Sequence, residues 1–167
     1  MTDERPEIDQ EVYDDLLREL TQQLQTANTE IEAHEIVCER LDEAFDHYSW
    51  VGVYVVEGNE LILSAWSGPE ETEHTRIRVG EGICGLAAET GDTEIVPDVS
   101  ARPEFIACFP STKSEIVVPI LAADESVLGE IDIITSTLGK ALGGAAGRWR
   151  TRCSSSACSQ GTCSGWC

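Results

Sequence analysis

"WVGVYVVEGNELILSAW", residues 50–66, is where the chain changes its period. Two β-rich runs flank Gly58-Asn59, a pair suited to a tight turn, so the stretch predicts a β-hairpin. Upstream the period is helical. Val12, Leu16, Leu17, Leu20 and Leu24 form one stripe, which predicts a first helix. Thr29 with Glu32 makes a capping box for a second, whose apolar face carries Ala33, Val37, Leu41, Ala44 and Phe45. Cys38 lies just off that stripe and reads as a buried structural thiol.

Downstream the chain returns to short extended runs. "TRIRV" (75–79) alternates as a third strand, and "GEGICGLAAETGD" (80–92) reads as a glycine turn into a short helix ending near Gly91. "TEIVPDV" (93–99) is a fourth strand. "EIVVPILAADESVLGEIDI" (115–133) is a second hairpin, with Pro119 marking an edge or a bulge. Helices and strands are segregated, which predicts an α+β class: an antiparallel sheet of about six strands with the N-terminal helices on one face.

Composition bounds the function. With 41% hydrophobic residues the chain reads as globular, and its 167 residues suit one domain. Its longest apolar run, "IVVPILAA", is far too short for a membrane span, and no signal-peptide pattern opens the chain. These features predict a cytoplasmic protein that does not act at a membrane. A formal charge of −20 excludes a nucleic-acid footprint, which needs clustered Lys and Arg. The 31 acids against two lysines suggest a halophile surface, with an acidic interaction face as the rival reading.

All 31 acids lie before Ile133, and the segment that follows is rich in Gly, Ala, Ser, Thr, Arg, Cys and Trp. Four of the seven cysteines sit there, at Cys153, Cys158, Cys163 and Cys167. Their spacing matches no C-x-x-C zinc pattern, so no metal is expected. Three readings compete for this segment: a flexible tail, a cysteine-rich metal or redox appendage, and a reading-frame slip that replaced the original C-terminus. The predicted organisation is therefore an N-terminal helix over 1–28, a domain over 29–135 and an atypical tail over 136–167.

Two cysteines stand where chemistry is possible. Cys108 falls in the loop "IACFPST" (106–112), open to attack, and Glu115 follows at the mouth of a strand. Cys84 lies between Gly82 and Gly85 at a helix N-terminus, a setting that favours thiolate. Each also has a plain reading: a buried loop cysteine, a solvated glutamate, a small residue in a tight turn. Trp50 and Tyr54 share one strand face and read equally well as core aromatics. Asp132, between Ile131 and Ile133, points to the opposite face from them.

Residues from about 30 to 133 resemble the GAF-domain free methionine-(R)-sulfoxide reductases. The resemblance rests on "SWVGVY" (49–54), "IRVGEGICG" (77–85), "IVPDV" (95–99), "IAC" (106–108), "SEIVVPI" (114–120) and "VLGEIDI" (127–133). It implies a GAF-like fold and reduction of free methionine-(R)-sulfoxide, with no cofactor, recycled by thioredoxin or a similar dithiol. It implies that Cys108 is the nucleophile, Cys84 a resolving thiol and Glu115 an acid or substrate anchor. Asp132 becomes a substrate carboxylate, and Trp50 and Tyr54 a wall around the methyl-sulfur end. GAF domains often dimerise, so a homodimer is a further expectation. A non-catalytic GAF ligand-binding module is the alternative.

Two positions depart from the family pattern. His74 stands where members commonly carry another cysteine, ten residues before Cys84. Ile134 stands where a second acid commonly follows Asp132.

Overall fold

The computed structural model describes residues 10–138 and 151–152. Helices α1 (Gln10–Leu24) and α2 (Glu30–Ala44) come first, then a hairpin of β1 (Trp50–Glu57) and β2 (Glu60–Ser67). Strand β3 (Arg76–Arg78), helix α3 (Gly82–Thr90) and strand β4 (Glu94–Val96) follow. A 3₁₀ turn at Val99–Ala101 leads into the loop that carries Cys108. A second hairpin, β5 (Ser114–Leu121) and β6 (Val127–Thr135), completes an antiparallel sheet of order β3-β2-β1-β6-β5-β4. The expected class, element order and six antiparallel strands are all present. The two-residue strand β7 (Thr151–Arg152) adds a parallel pairing to β5. Apart from β7 and residues 136–138, the expected tail lies outside the described residues.

The caps follow the sequence. Glu32 N–H donates to Thr29 Oγ1 at 3.1 Å, while the Glu32 carboxylate accepts from Asn28 N–H at 2.7 Å. The carboxylate thus satisfies an N–H one residue before the N-cap rather than that of Thr29 itself. At the other end of the domain, α3 stops at Gly91, whose φ of 69° gives the left-handed cap that glycine adopts without strain.

The α1 stripe is only partly used. Leu16 is buried, but Val12 and Leu17 are 48% and 46% exposed, so the inward face is narrower than the sequence stripe. α2 does the main covering of the sheet, and Cys38 is fully buried within it, as expected. No helix among the described residues is long and apolar enough to cross a membrane.

Pro119 has a clear place. β5 lies between β6 and β4, but β4 pairs only as far as Val117, so Pro119 sits beyond its end. A residue with no N–H can occupy that position without breaking a ladder bond. A bulge follows at once, between Ile120 and Leu121.

Strand alternation gives the sheet two different faces. Val51 and Val53 pack with Cys38, Ile116 and Ile133 beneath the helices. Trp50, Tyr54, Val117 and Ile134 face the other way, toward α3 and the Cys108 loop. A register shift between Val53 and Tyr54 affects only the β2 side. The β1–β6 ladder runs unbroken from Trp50↔Ile134 through Gly52↔Asp132 to Tyr54↔Glu130.

Candidate functional site

The second face holds acids in its centre. Asp132 on β6 lies opposite Gly52 on one side and Val117 on the other. Glu115 enters from β5, one diagonal step away, opposite Ile134. Cys84 reaches down from α3, with its Sγ 3.9 Å from Glu115 Oε1. One ligand atom from each of Cys84, Glu115 and Asp132 can be chosen so that all lie within 4.8 Å of one another. All three residues are buried, Asp132 completely.

Glycine makes room for this arrangement. A Cβ on Gly52 would fall 2.2 Å from the Trp50 ring, so the outer edge of the indole occupies the space that a side chain at Gly52 would need. Gly82, at φ +68°, lets Ile106 cross the start of α3 at close range. That contact brings the "IAC" segment against the helix that carries Cys84.

The Cys108 loop is fastened at several points. Phe109 packs against Trp50 with ring centroids 5.9 Å apart and the rings inclined at 57°. His74 Nε2 lies 3.1 Å from the Ala107 carbonyl oxygen, and Tyr54 Oη donates to the His74 carbonyl at 2.9 Å. The residue at the usual extra-cysteine position is therefore a latch between the 72–74 segment and the loop. Cys108 is half-buried and packs against the core face that holds Trp50, Tyr54 and Cys84.

Sequence inspection missed Glu130. It is fully buried two residues before Asp132, on the same face, opposite Tyr54. The signal was present: period-two alternation from Asp132 leads back to Glu130 as readily as forward to Ile134. Ile134 itself is 2% exposed and packs in the core against the same face. The stretch thus presents two inward acids, on the opposite side of Asp132 from the departure at Ile134.

The electrostatics are those of buried acids without a cation. Among the described residues no ion pair involves Glu115, Glu130 or Asp132. Glu115 Oε2 and both carboxyl oxygens of Glu130 and Asp132 are buried without a hydrogen-bond partner. Burial, and then Asp132, hold the carboxyls of Glu115 and Glu130 well above the usual range. Burial pushes Asp132 up to about 7, with the neighbouring Cys84 and Glu115 side chains acting against the rise.

The thiols differ from expectation. A helix N-terminus favours thiolate, but Cys84 is held well above the ordinary thiol range by burial, then by Asp132, Glu130 and Glu115. Desolvation and three nearby carboxyls outweigh the helix end. Cys108 is also raised, by burial first and then by Asp132 and Glu115, against a hydrogen bond with Thr72. Both thiols are protonated at neutral pH until something positive offsets the acids.

The sheet order, the crossing helix α3 and the inward acids define the class as an α+β GAF fold with a buried cluster of thiol and carboxyl groups. The family model for the GAF domain matches residues 27–140, and the chain belongs to that family. The chain is 48% identical over 88 residues to the free methionine-R-sulfoxide reductase of Saccharomyces cerevisiae, covering 51% of this chain and 48% of that one. The chain thus spans about half the length of the yeast enzyme. GAF domain-containing protein A of Dictyostelium discoideum is 39% identical over 130 residues, covering 77% of this chain and 80% of its own. The structure of free methionine-R-sulfoxide reductase from Neisseria meningitidis, in complex with its substrate, superposes with a TM-score of 0.71 at 34% identity. It covers 77% of this chain and 75% of the other.

Proposed function

We propose that the chain reduces free methionine-(R)-sulfoxide to methionine, with Cys108 as nucleophile. The observation that carries this is the convergence of a loop thiol, a second thiol and three buried, unpaired carboxyls on one face roofed by Trp50 and Tyr54. A zwitterionic amino acid supplies what that face lacks, a cation. Its ammonium group would sit against Asp132 and Glu115, and its methyl-sulfur end against the aromatic wall.

Chemically, the Cys108 sulfur bonds to the sulfoxide sulfur as the oxygen takes up one proton and the thiol gives one up. The hydroxyl then passes to the Cys108 sulfur as the sulfur–sulfur bond breaks, which releases methionine and leaves Cys108 as the sulfenic acid. Glu115, kept protonated by burial, is the proton source. Cys84 then displaces water from the sulfenic acid to give a Cys84–Cys108 disulfide, and an external dithiol of the thioredoxin type returns both thiols. The arriving ammonium offsets the acids that suppress thiolate, so substrate binding itself activates Cys108.

Thiol counting tests the reading. Adding methionine-(R)-sulfoxide without reductant should remove two thiols per chain, with none removed in Cys108→Ser, whose turnover should fall by roughly a thousandfold or more. Binding without thiol loss would instead establish the GAF ligand-binding module, a reading favoured by the protonated state of both thiols.

A further inference from the structure

We propose that Cys84, Glu115 and Asp132 also form a site for one thiophilic divalent cation of the zinc class, whose binding shuts the pocket. Three observations meet here. The three ligand atoms come from α3, β5 and β6 and lie within 4.8 Å of one another. The Cys84 Sγ to Glu115 Oε1 separation is 3.9 Å, against about 3.5 Å between sulfur and oxygen ligands around tetrahedral zinc. A small inward movement of flexible side chains closes that gap.

The second observation is independent of the triad. Glu130 is fully buried near Cys84, with both oxygens unpartnered, and its carboxyl can balance the charge of a bound ion. The third is the lack of any Lys or Arg paired to these acids among the described residues. Leaving the carboxyl oxygens of Glu130 and Asp132 and one oxygen of Glu115 buried without a donor is costly, and a divalent ion relieves that cost.

The donor set selects the ion. A thiolate beside carboxylates favours zinc or cadmium over magnesium or calcium, which take oxygen ligands alone. On binding, the Cys84 proton and any carboxyl protons pass to solvent, and a sulfur–metal bond replaces the S–H bond. The bound ion takes the seat assigned to the substrate's ammonium and holds Cys84 away from disulfide formation. That inhibitory consequence rests on the reductase reading, whereas the binding itself does not.

The test uses the full chain with Cys153, Cys158, Cys163 and Cys167 replaced by serine, so that only Cys38, Cys84 and Cys108 remain. Cadmium is titrated in without substrate, and the ultraviolet thiolate-to-cadmium band is read. One cation per chain should bind, and zinc should displace it. The band should vanish in Cys84→Ser, persist in Cys108→Ser, and need about tenfold more cadmium in Asp132→Asn, which also covers a Cys84→Ser chain that fails to fold. Absence of a band, survival of the band in a folded Cys84→Ser chain, an unchanged titration in Asp132→Asn, or its loss in Cys108→Ser overturns the proposal. Thiol loss on adding the sulfoxide reports the reductase reading separately.

Discussion

The two faces of the sheet are built from the same strands and have opposite chemistry. Under α2, residues Val51, Val53, Ile116 and Ile133 surround Cys38 with hydrocarbon. Under α3, residues one step along those strands are Trp50, Tyr54, Glu115 and Asp132, with Cys84 among them. Both cysteines are buried and both thiols are raised, Cys38 to about 12 mainly by burial. What separates them is the company. Cys38 has only the exposed Glu39 and the half-buried Asp42 of its own helix nearby, whereas Cys84 faces three buried carboxyls. Burial alone makes an inert thiol, and buried acids waiting for a cation make a site.

The comparison breaks most sharply if the acids are not a cation seat. Asp132→Asn should weaken methionine-(R)-sulfoxide binding by roughly a hundredfold, since it removes the buried charge partner, and Glu115→Gln, which removes a neutral hydrogen-bonding acid, by less. Calorimetric affinity in a Cys108→Ser background measures this without turnover. Unchanged affinity would return Asp132 to the status of a buried acid without function.

Gly52→Ala probes the close approach that shapes the acidic face. A methyl group there meets the Trp50 ring at 2.2 Å, so the indole must move. Stability to urea should fall by about 2 kcal/mol, with substrate binding weakened alongside.

Glu130 sharpens the comparison through pH. Its carboxyl is raised by burial and by Asp132, with Cys84 acting against the rise. Tyr54 and Glu115 also face this cluster from β1 and β5. The folded chain therefore keeps a proton that the unfolded chain loses near pH 4.3. This contribution is complete below that pH and is lost as pH rises toward the folded value. Stability should decline as pH rises above about 5, and Glu130→Gln should flatten that decline, by at most about 1.4 kcal/mol per pH unit. Equal slopes in urea unfolding would mean that Glu130 ionises normally.

The smallest effect is expected on the apolar face. Cys38→Val swaps one small hydrophobe for another inside a hydrocarbon cluster, so stability should change by less than about 1.5 kcal/mol. Turnover should be unaltered. A large loss of turnover would give Cys38 a role that its surroundings do not suggest.

Local order was legible because it depends on neighbours in sequence. The turn at Gly58-Asn59, the Thr29 cap, the Gly91 stop and the burial of Cys38 all follow from short-range pattern. The narrow use of the α1 stripe was not, since Val12 and Leu17 have apolar spacing but no surface opposite them. Glu130 was hidden for a related reason. An acid two residues from another looks solvated until the strand is known to be covered on that side.

The sequence by itself determined the α+β order of elements, the two thiol-bearing segments and the motif that ties them to the GAF family. Side-chain period and turn chemistry are local, and they are written in neighbouring residues. Tertiary structure alone decided which acids are buried together, that α3 lays Cys84 over them, and that His74 latches the Cys108 loop. Those outcomes depend on desolvation and on contacts between residues far apart in the chain. They also reverse the simple expectation for Cys84: its helix end favours thiolate, and the buried carboxyls around it favour the thiol.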